Sequence, residues 1–288
     1  MKKIFQFIGL FTLICFSFFY TEKVVTVLNE QDPIMVEIEN KKDNYYVEPI
    51  DAIIKDNTII PGIMGHEVNI NKTYNNMKKI GFFSEKNFIY NDIKPSISIN
   101  NNYDKYIIKG NNKKNSISLL FIIKEDKYLE DLIDIAKNKN ITINLFMTTD
   151  YLNNNISKLY KLTHSEIYNY GSSGTYQKDL IILGNNIINR NTKNTSSYCL
   201  TKEIFSYTLN IYSKSKMHTI YPNKIINNNF YSNIKNDINS GDIILFEFNK
   251  NMFEELNTIT DFIKKKGINI VGLKELLSER GFIFIRVY

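Results

Sequence analysis

The chain has 288 residues, of which 43% are hydrophobic and 23% charged, and its formal net charge is +6. This length accommodates one large domain with appendages, or two small domains. Basic residues are almost all lysines spread along the chain, with arginine only at Arg190, Arg280 and Arg286. Nucleic-acid recognition favours clustered arginine, so we expect no nucleic-acid partner.

The N-terminal stretch "MKKIFQFIGLFTLICFSFFY" has two lysines followed by an apolar run from Ile4 to Tyr20. Such a run is typical of a signal peptide or a membrane anchor. No small-x-small cleavage site precedes "TEKVV", and Ile14 is unfavourable in front of a lipidated Cys15. We therefore predict an uncleaved anchor helix over residues 1–21. The lysines would lie inside the cell and the body outside it, as a single-pass protein of the cell membrane.

A tether is expected over residues 22–44, with one short strand in the alternating "IMVEIE". Residues 45–114 predict a small, mainly-β N-terminal appendage. Its strands are "YYVEPIDAII", "NTIIPG" and "NFIYNDIKPSISI", and its helix "NINKTYNNMKKIG" ends at Gly81.

Strand and helix patterns alternate from residue 115 to 279, with a C-terminal tail at 280–288. The predicted strands are "SISLLFII", "ITINLFM", "SEIYNY", "SSYCL", "MHTIYP", "DIILFEF" and "INIVG". The predicted helices are "KYLEDLIDIAKNK", "DYLNNNISKLYKL", "QKDLIILGNNIINR", "KEIFSYTLNIYSKS", "FYSNIKNDIN", "MFEELNTITDFIKKKG" and "LKELLSE". This alternation indicates an α/β fold with a parallel sheet, and its rhythm favours a parallel (β/α) barrel.

Four stretches carry a recognisable order: "LLFIIK" (119–124), "HSEIYNY" (164–170), "YCLTKE" (198–203) and "GDIILFE" (241–247). With the closing "FIKKKGINIVGLKELL", they resemble the polysaccharide deacetylase family, also called the NodB-homology domain, over residues 115–277. The resemblance implies a deformed (β/α) barrel with its chemistry at the loop ends of the strands.

The family's metal and catalytic positions carry other residue types in this chain. Ile122 and Ile123 replace the two aspartates of "TFDDG", while Ser165 and Tyr170 replace the two histidines of "GHEIGNH". Cys199 lies close to the arginine of "RPPYG", and Glu247 replaces the last histidine of "GSIILLH".

The family uses a divalent metal, often zinc, held by one aspartate and two histidines. A second aspartate acts as base and a histidine as acid. Because none of these types stands at its expected position, we predict a degenerate site. It would have no metal, no cofactor and no catalytic residue.

The alternative is a displaced polar site built from His164, Glu166 and Glu247. His164 and Glu166 form an H-x-E spacing that occurs in some zinc sites. However, His164 stands one residue before an aligned ligand position, and a one-residue offset on a strand turns the side chain to the other face. The sequence therefore predicts that His164 lies on the surface.

Three functions follow from these observations. The first is a membrane-anchored, extracytoplasmic, deacetylase-like pseudoenzyme with a binding or structural role at the cell envelope, whose partner is a cell-wall glycan or an envelope protein. The second is an active carbohydrate de-N-acetylase, a hydrolase of non-peptide C–N bonds that uses the displaced site. The third is an envelope-anchored structural protein unrelated to deacetylases. The sequence leaves open whether the protein is an enzyme.

Overall fold

The computed structural model of the chain describes residues 8–18, 31–171, 178–192 and 197–280. The chain divides into two compact units, which we call the small unit and the large unit. The small unit comprises Met1–Pro49 and Gly65–Ile93, and the large unit comprises Ile50–Met64 and Lys94–Tyr288.

The strands and helices of the described residues are numbered in chain order. The strands are β1 (Ile53–Lys55), β2 (Thr58–Ile60), β3 (Gly65–Val68), β4 (Tyr90–Ile93), β5 (Tyr106–Ile107), β6 (Ser116–Ile123), β7 (Ile143–Thr148), β8 (Ser165–Gly171), β9 (Tyr198–Leu200), β10 (His218–Ile220), β11 (Lys224–Ile226), β12 (Ile243–Phe246) and β13 (Asn269–Ile270). The α-helices are α1 (residues 8–18), α2 (Pro33–Lys41), α3 (Ile70–Ile80), α4 (Leu129–Asn138), α5 (Thr149–Asn154), α6 (Ile156–Leu159), α7 (Lys178–Asn191), α8 (Ser206–Lys214), α9 (Phe230–Asn236), α10 (Lys250–Lys265) and α11 (Leu273–Leu277). Short 3₁₀ turns occur at Lys42–Tyr45, Glu85–Asn87, Ile99–Asn101 and Asn112–Lys114.

Helix α1 lies within the predicted anchor segment, whose residues 1–7 and 19–21 fall outside the described part of the chain. Its apolar side chains, including Phe11 and Phe16, are exposed. Within the described residues, every helix is too short or too polar to cross a membrane.

The strand predicted at "IMVEIE" is wrong, because this segment forms helix α2. Asp32 caps the helix by accepting a hydrogen bond from the Ile34 N–H at 2.9 Å. Pro33 occupies the first helical turn, where its fixed φ is favourable and no backbone N–H is needed. These start signals override the alternation of apolar residues.

Helix α3 begins and ends as its sequence predicts. The Asn69 side chain accepts a hydrogen bond from the Lys72 N–H at 2.9 Å, which satisfies a backbone donor of the first turn. Gly81 ends the helix with φ of 89°, a conformation that side chains disfavour. Strands β3 and β4 pair antiparallel in the same unit.

Two sheets form the large unit in its described part. One has the order β11-β12-β6-β7-β8, and every pairing in it is parallel. The other has the order β1-β2-β5-β10-β9 and is parallel except for the β1–β2 hairpin. Strand β13 also pairs with β6. The expected mixed α/β architecture with parallel sheets is confirmed, as two hydrogen-bonded sheets that resemble a deformed barrel.

Segments 50–64 and 94–114 are predicted to belong to the appendage, but the structure divides the chain differently. They contribute β1, β2 and β5 to the second sheet. Strand β5 is only two residues long, so its sequence pattern is too short to predict the pairing with β10.

An interior cluster lies between the two sheets. Ile59 and Ile107 from one sheet pack with Leu120, Phe146 and Leu245 from the other.

A second cluster, which we call the helix-side cluster, covers the opposite face of the first sheet. There Phe121 and Ile123 pack with residues of the surrounding helices, such as Leu132 of α4 and Leu256 of α10. Strand β6 reads as a continuous apolar run because both of its faces are buried.

Candidate functional site

We call the ends of β6, β7, β8, β9, β10 and β12, where each strand passes into its following loop, the carboxyl edge, and the opposite ends the amino edge. Active sites in parallel barrels form at the carboxyl edge, because the loops there are free to vary. The residues expected at a degenerate site should therefore meet at this edge.

Ile122 and Ile123 both lie at the carboxyl edge of β6, but they face opposite sides of the sheet. Ile122 is partly buried against the interior cluster. Ile123 is 0% exposed and packs in the helix-side cluster. The two side chains therefore do not form one common floor, since successive strand residues alternate in direction.

Ser165 and Tyr170 lie at opposite ends of β8. Ser165 pairs in register with Ile143 at the amino edge, while Tyr170 follows Asn169, which pairs with Met147 near the carboxyl edge. Ser165 is therefore far from the expected site, and its hydroxyl donates to the Leu162 carbonyl at 2.8 Å.

Strand direction is the signal that sequence reasoning missed for this motif. Among the described residues of β8, those that reach the carboxyl edge are Tyr170 and Gly171. The sequence over 171–177 is "GSSGTYQ", which contains no histidine, cysteine, aspartate or glutamate. This stretch of sequence therefore contains no customary metal ligand.

Cys199 lies on the helix side of β9. It packs with Ile181, Tyr212 and Met217, and its Sγ is 3.6 Å from the Met217 Sδ. Burial raises the pKa of the Cys199 thiol well above its ordinary value, so the thiol is neutral at pH 7 and is not a ready nucleophile. It does not join the interior-facing groups at the carboxyl edge.

Glu247 follows β12 at the carboxyl edge and is exposed. The preceding residue, Phe246, pairs with Phe121 in register. By continuation of this register, Glu247 lies beside Ile122. Its side chain faces the side of the sheet opposite to Phe246, which packs against the helices. Of the six expected positions, Ile122, Tyr170 and Glu247 share this edge and face.

The displaced set of His164, Glu166 and Glu247 is not brought together. His164 is exposed at the amino edge, with a left-handed backbone φ of 57°. Glu166 accepts hydrogen bonds from the Tyr168 hydroxyl at 2.5 Å and from the Lys274 N–H at 3.0 Å. Glu247 lies at the other edge of the sheet, so these three side chains form no common site and Glu166 has a structural role.

The zinc site that the resemblance implies does not fit these residues. Within the described ranges, no group of three or more histidine, cysteine, aspartate or glutamate side chains is placed to hold a metal ion. An apolar side chain such as Ile122 supplies neither a ligand nor charge to a hydrated cation.

The loop after β9 adds an exposed apolar surface to the carboxyl edge. Thr201 orders this loop, because its hydroxyl donates to the Glu203 carbonyl at 2.6 Å and accepts from the Glu203 N–H at 3.2 Å. The Tyr106 hydroxyl holds the segment just before helix α8 by donating to the Phe205 carbonyl at 2.8 Å. Phe205 and Tyr207 are left exposed, the latter by 72%.

Tyr170 lies close enough to Glu203 to be affected by its charge. Burial first, and the Glu203 carboxylate second, raise the pKa of the Tyr170 phenol. The phenol therefore remains a protonated hydrogen-bond donor at pH 7.

A polar cleft of about 450 Å³ lies where β6 and β7 end. Its lining residues are Lys124, Glu125, Asp126, Thr148, Asp150, Tyr151, Asn154 and Asn155. Asp126 is engaged there by Lys158 and by the Tyr151 hydroxyl, which lower the pKa of its carboxyl in that order. The Asp126 carboxylate is therefore engaged in a surface ion pair.

Comparison with curated proteins gives one partial relative. The chain is 32% identical over 143 residues to the uncharacterized protein YlxY of Bacillus subtilis (strain 168). The match covers 48% of this chain and 44% of that protein, so the chain spans less than half the length of its relative. No protein-family model matches the sequence.

Solved structures match over most of the chain. A CE4 family pseudoenzyme from Bacillus anthracis aligns with a TM-score of 0.64 and 20% identity, covering 87% of this chain and 96% of its own. A mutant of the same pseudoenzyme gives a TM-score of 0.66 and 21% identity, covering 87% and 99%. PdaA of Bacillus subtilis, a family 4 carbohydrate esterase, gives 0.52 and 17%, covering 80% and 97%. The chain therefore has the fold of the family 4 carbohydrate esterases, the polysaccharide deacetylases, and the resemblance expected from its motifs is confirmed.

Proposed function

We propose that this chain is a catalytically inactive deacetylase-fold protein that binds an N-acetylated envelope glycan at its carboxyl edge. The observation that carries the proposal is the pair of isoleucines at the end of β6. Ile123 is fully buried among helix-side residues and Ile122 packs on the interior cluster. This edge is built as hydrophobic core where the fold family would need carboxylates.

The groups left at the carboxyl edge favour sugar binding over hydrolysis. Tyr170 supplies a phenol donor, and Glu203 and Glu247 supply carboxylate acceptors. Phe205 and Tyr207 present exposed rings on which a pyranose can stack. Hydrogen bonds from hydroxyls together with apolar contact are the usual means of binding a neutral glycan.

An active de-N-acetylase is the alternative. A mutant of the CE4 family pseudoenzyme with restored enzymatic activity aligns with this chain at a TM-score of 0.64 and 20% identity, so this scaffold is compatible with catalysis. His164 and Glu166 lie at the amino edge, whereas Glu247 lies at the carboxyl edge. This separation weighs against the alternative for the natural sequence.

Attachment to the cell membrane, with the body outside the cell, is part of the proposal. It is supported by the apolar run that begins at Ile4 and by the exposed apolar side chains of α1. Cell fractionation tests it. The full chain should partition with membranes, and a chain without residues 1–22 should remain in the soluble fraction.

Glycan binding is tested with chitin oligosaccharides by isothermal titration calorimetry. Replacing Tyr207 by Ala should weaken binding about tenfold, because a stacking contact is lost. Tyr160→Ala is the matched control: this tyrosine is 68% exposed, immediately precedes the amino-edge loop to β8, and should have no effect.

Acetate release from the same oligosaccharides distinguishes the two functions. The wild type should release none above the buffer background. Acetate release that disappears when His164 and Glu247 are both changed to alanine would establish the displaced-site hydrolase and overturn the proposal.

A further inference from the structure

A second cavity, of about 460 Å³, lies in the large unit at the amino edge, far from the carboxyl edge described above. It opens where β9 and β10 begin, at Tyr198 and His218. It is also lined by Tyr103, Lys216, Glu279 and Arg280. Its volume falls in the range of small-molecule sites.

His218 is a buried polar group of this cavity. It is 5% exposed, and its Nδ1 atom has no hydrogen-bond partner among the described residues. The imidazole stacks on the Tyr103 ring, with centroids 4.4 Å apart and planes 16° apart, and lies 5.8 Å from the Tyr198 ring. A buried ring nitrogen without a hydrogen-bond partner is destabilising, so its retention beside a cavity calls for an explanation.

Glu279 does not neutralise the histidine, because its carboxylate is occupied by the protein. It accepts hydrogen bonds from the Ile99 N–H at 2.9 Å, the Gly62 N–H at 3.3 Å and the Ser98 hydroxyl. These contacts fasten the segments before β5 to the end of α11, so Glu279 has a structural role.

Two cations stand at the mouth of the cavity. Lys216 and Arg280 are exposed, and in the described part of the chain neither forms an ion pair with a carboxylate. With Glu279 counted and His218 neutral, the lining carries one net positive charge. An anionic group at the mouth would therefore be favoured.

We propose that this amino-edge cavity binds a small ring compound that bears a carboxylate. The carboxylate would pair with Lys216 and Arg280 at the mouth. The ring would enter beside Tyr103 and Tyr198, and a polar substituent would hydrogen-bond to the His218 imidazole. Glycan binding at the carboxyl edge is a separate matter, and neither inference depends on the other.

Four probes distinguish the parts of this proposal, each titrated calorimetrically into the full chain. N-acetylmuramic acid and N-acetylglucosamine share a sugar ring but differ in a carboxylate-bearing ether. Benzoate carries a carboxylate on an aromatic ring, and inorganic phosphate is an anion without a ring. We expect one of the ring acids to bind, and the neutral sugar and phosphate to bind at least about tenfold more weakly.

Variants locate the site. Lys216→Gln and Arg280→Gln should each weaken binding of the ring acid about tenfold, whereas Lys235→Gln, an exposed lysine on α9, should not. His218→Phe keeps an aromatic ring against Tyr103 and should also weaken binding. Because both cations are exposed, their removal should leave the thermal unfolding midpoint unchanged, which separates lost binding from lost folding.

The outcomes are decisive in both directions. Preferential binding of either ring acid, lost in both mouth variants, supports the proposal, and the better of the two identifies a sugar or an aromatic ring. Failure of both ring acids to bind overturns it. Binding that survives in Lys216→Gln and Arg280→Gln, or that is equally tight for phosphate, overturns it as well.

Discussion

The Glu166 carboxylate caps helix α11 by accepting the Lys274 N–H at 3.0 Å, across 108 positions of sequence. The same carboxylate accepts the Tyr168 hydroxyl at 2.5 Å. An acidic group at a helix N-terminus satisfies backbone donors and interacts favourably with the helix dipole. The glutamate of the H-x-E spacing is thus a structural clamp between β8 and the last helix.

Replacing Glu166 by Ala should lower the free energy of unfolding by about 1–2 kcal/mol, because the Lys274 N–H and the Tyr168 hydroxyl both lose their acceptor. Glu166→Gln retains an amide oxygen and should lower it by less. Urea denaturation followed by circular dichroism measures the difference. Glu254→Ala on the exposed face of α10 is the control and should change stability by less than about 0.5 kcal/mol.

Carboxylates introduced at the two isoleucines should have unequal effects. Ile123→Asp should destabilise by about 4 kcal/mol or more, because it places a carboxylate in the helix-side cluster and removes buried apolar surface. Ile122→Asp, at the more open interior face of the edge, should cost about 1–2 kcal/mol. Equal losses in urea denaturation would show that the two side chains do not face different environments.

Gly184→Ala should destabilise, although the same exchange in most helices is favourable. A methyl group at position 184 would overlap the Asn169 side chain. That amide donates to the Ile181 carbonyl at 3.0 Å and accepts the Gly171 N–H at 2.8 Å. We expect a loss of about 1–3 kcal/mol. Pairing it with Asn169→Ala tests the cause, because the alanine at 184 should then cost much less.

Acid should weaken the large unit through His218. Burial lowers the pKa of its imidazole from 6.5 to about 4. Between these values the unfolded chain binds a proton that the folded chain does not, so this contribution to stability is present above about pH 6.5 and is lost as the pH falls toward 4. The ionisable groups that line the cavity around it are Tyr103, Tyr198, Lys216, Glu279 and Arg280.

The expected loss from His218 is about 2 kcal/mol between pH 7 and pH 5. Other groups also titrate in this window, so the comparison is with His218→Phe, which cannot be protonated. Urea denaturation at both pH values should show a smaller decrease for the variant. If the free energy of unfolding decreased by the same amount in both proteins, the imidazole would be protonated in the folded state.

The alternation of strands and helices after residue 115 predicts the fold well, because the relevant signals are local. "SISLLFII" is buried on both faces, and Gly267 ends α10 with φ of 74°. Segment "IMVEIE" is a helix despite its alternation, because Asp32 and Pro33 outweigh that pattern. Strand β5 has too few residues to predict its pairing with β10, which lies more than a hundred positions away in sequence.

The candidate site is harder to predict, because it depends on which end and face of a strand each residue occupies. Ser165 and Tyr170 belong to one motif but to opposite ends of β8. Cys199 is turned to the helix side by the same alternation that turns Tyr198 inward. The replacement of the family's residue types can be identified from sequence alone. Whether those positions lie close together in space depends on the register of neighbouring strands.

The chain passes between its two units three times, at residues 49–50, 64–65 and 93–94. A protease that cuts at one of these passages would leave each unit joined to the other by the remaining covalent links. A fragment that starts at residue 115 would lack β1, β2 and β5. Strand β10 would keep its pairing with β9 but lose its pairing with β5, which leaves an open edge prone to pairing with other molecules. Recombinant fragments of the large unit should therefore begin no later than Ile50 and keep residues 65–93 or replace them with a linker.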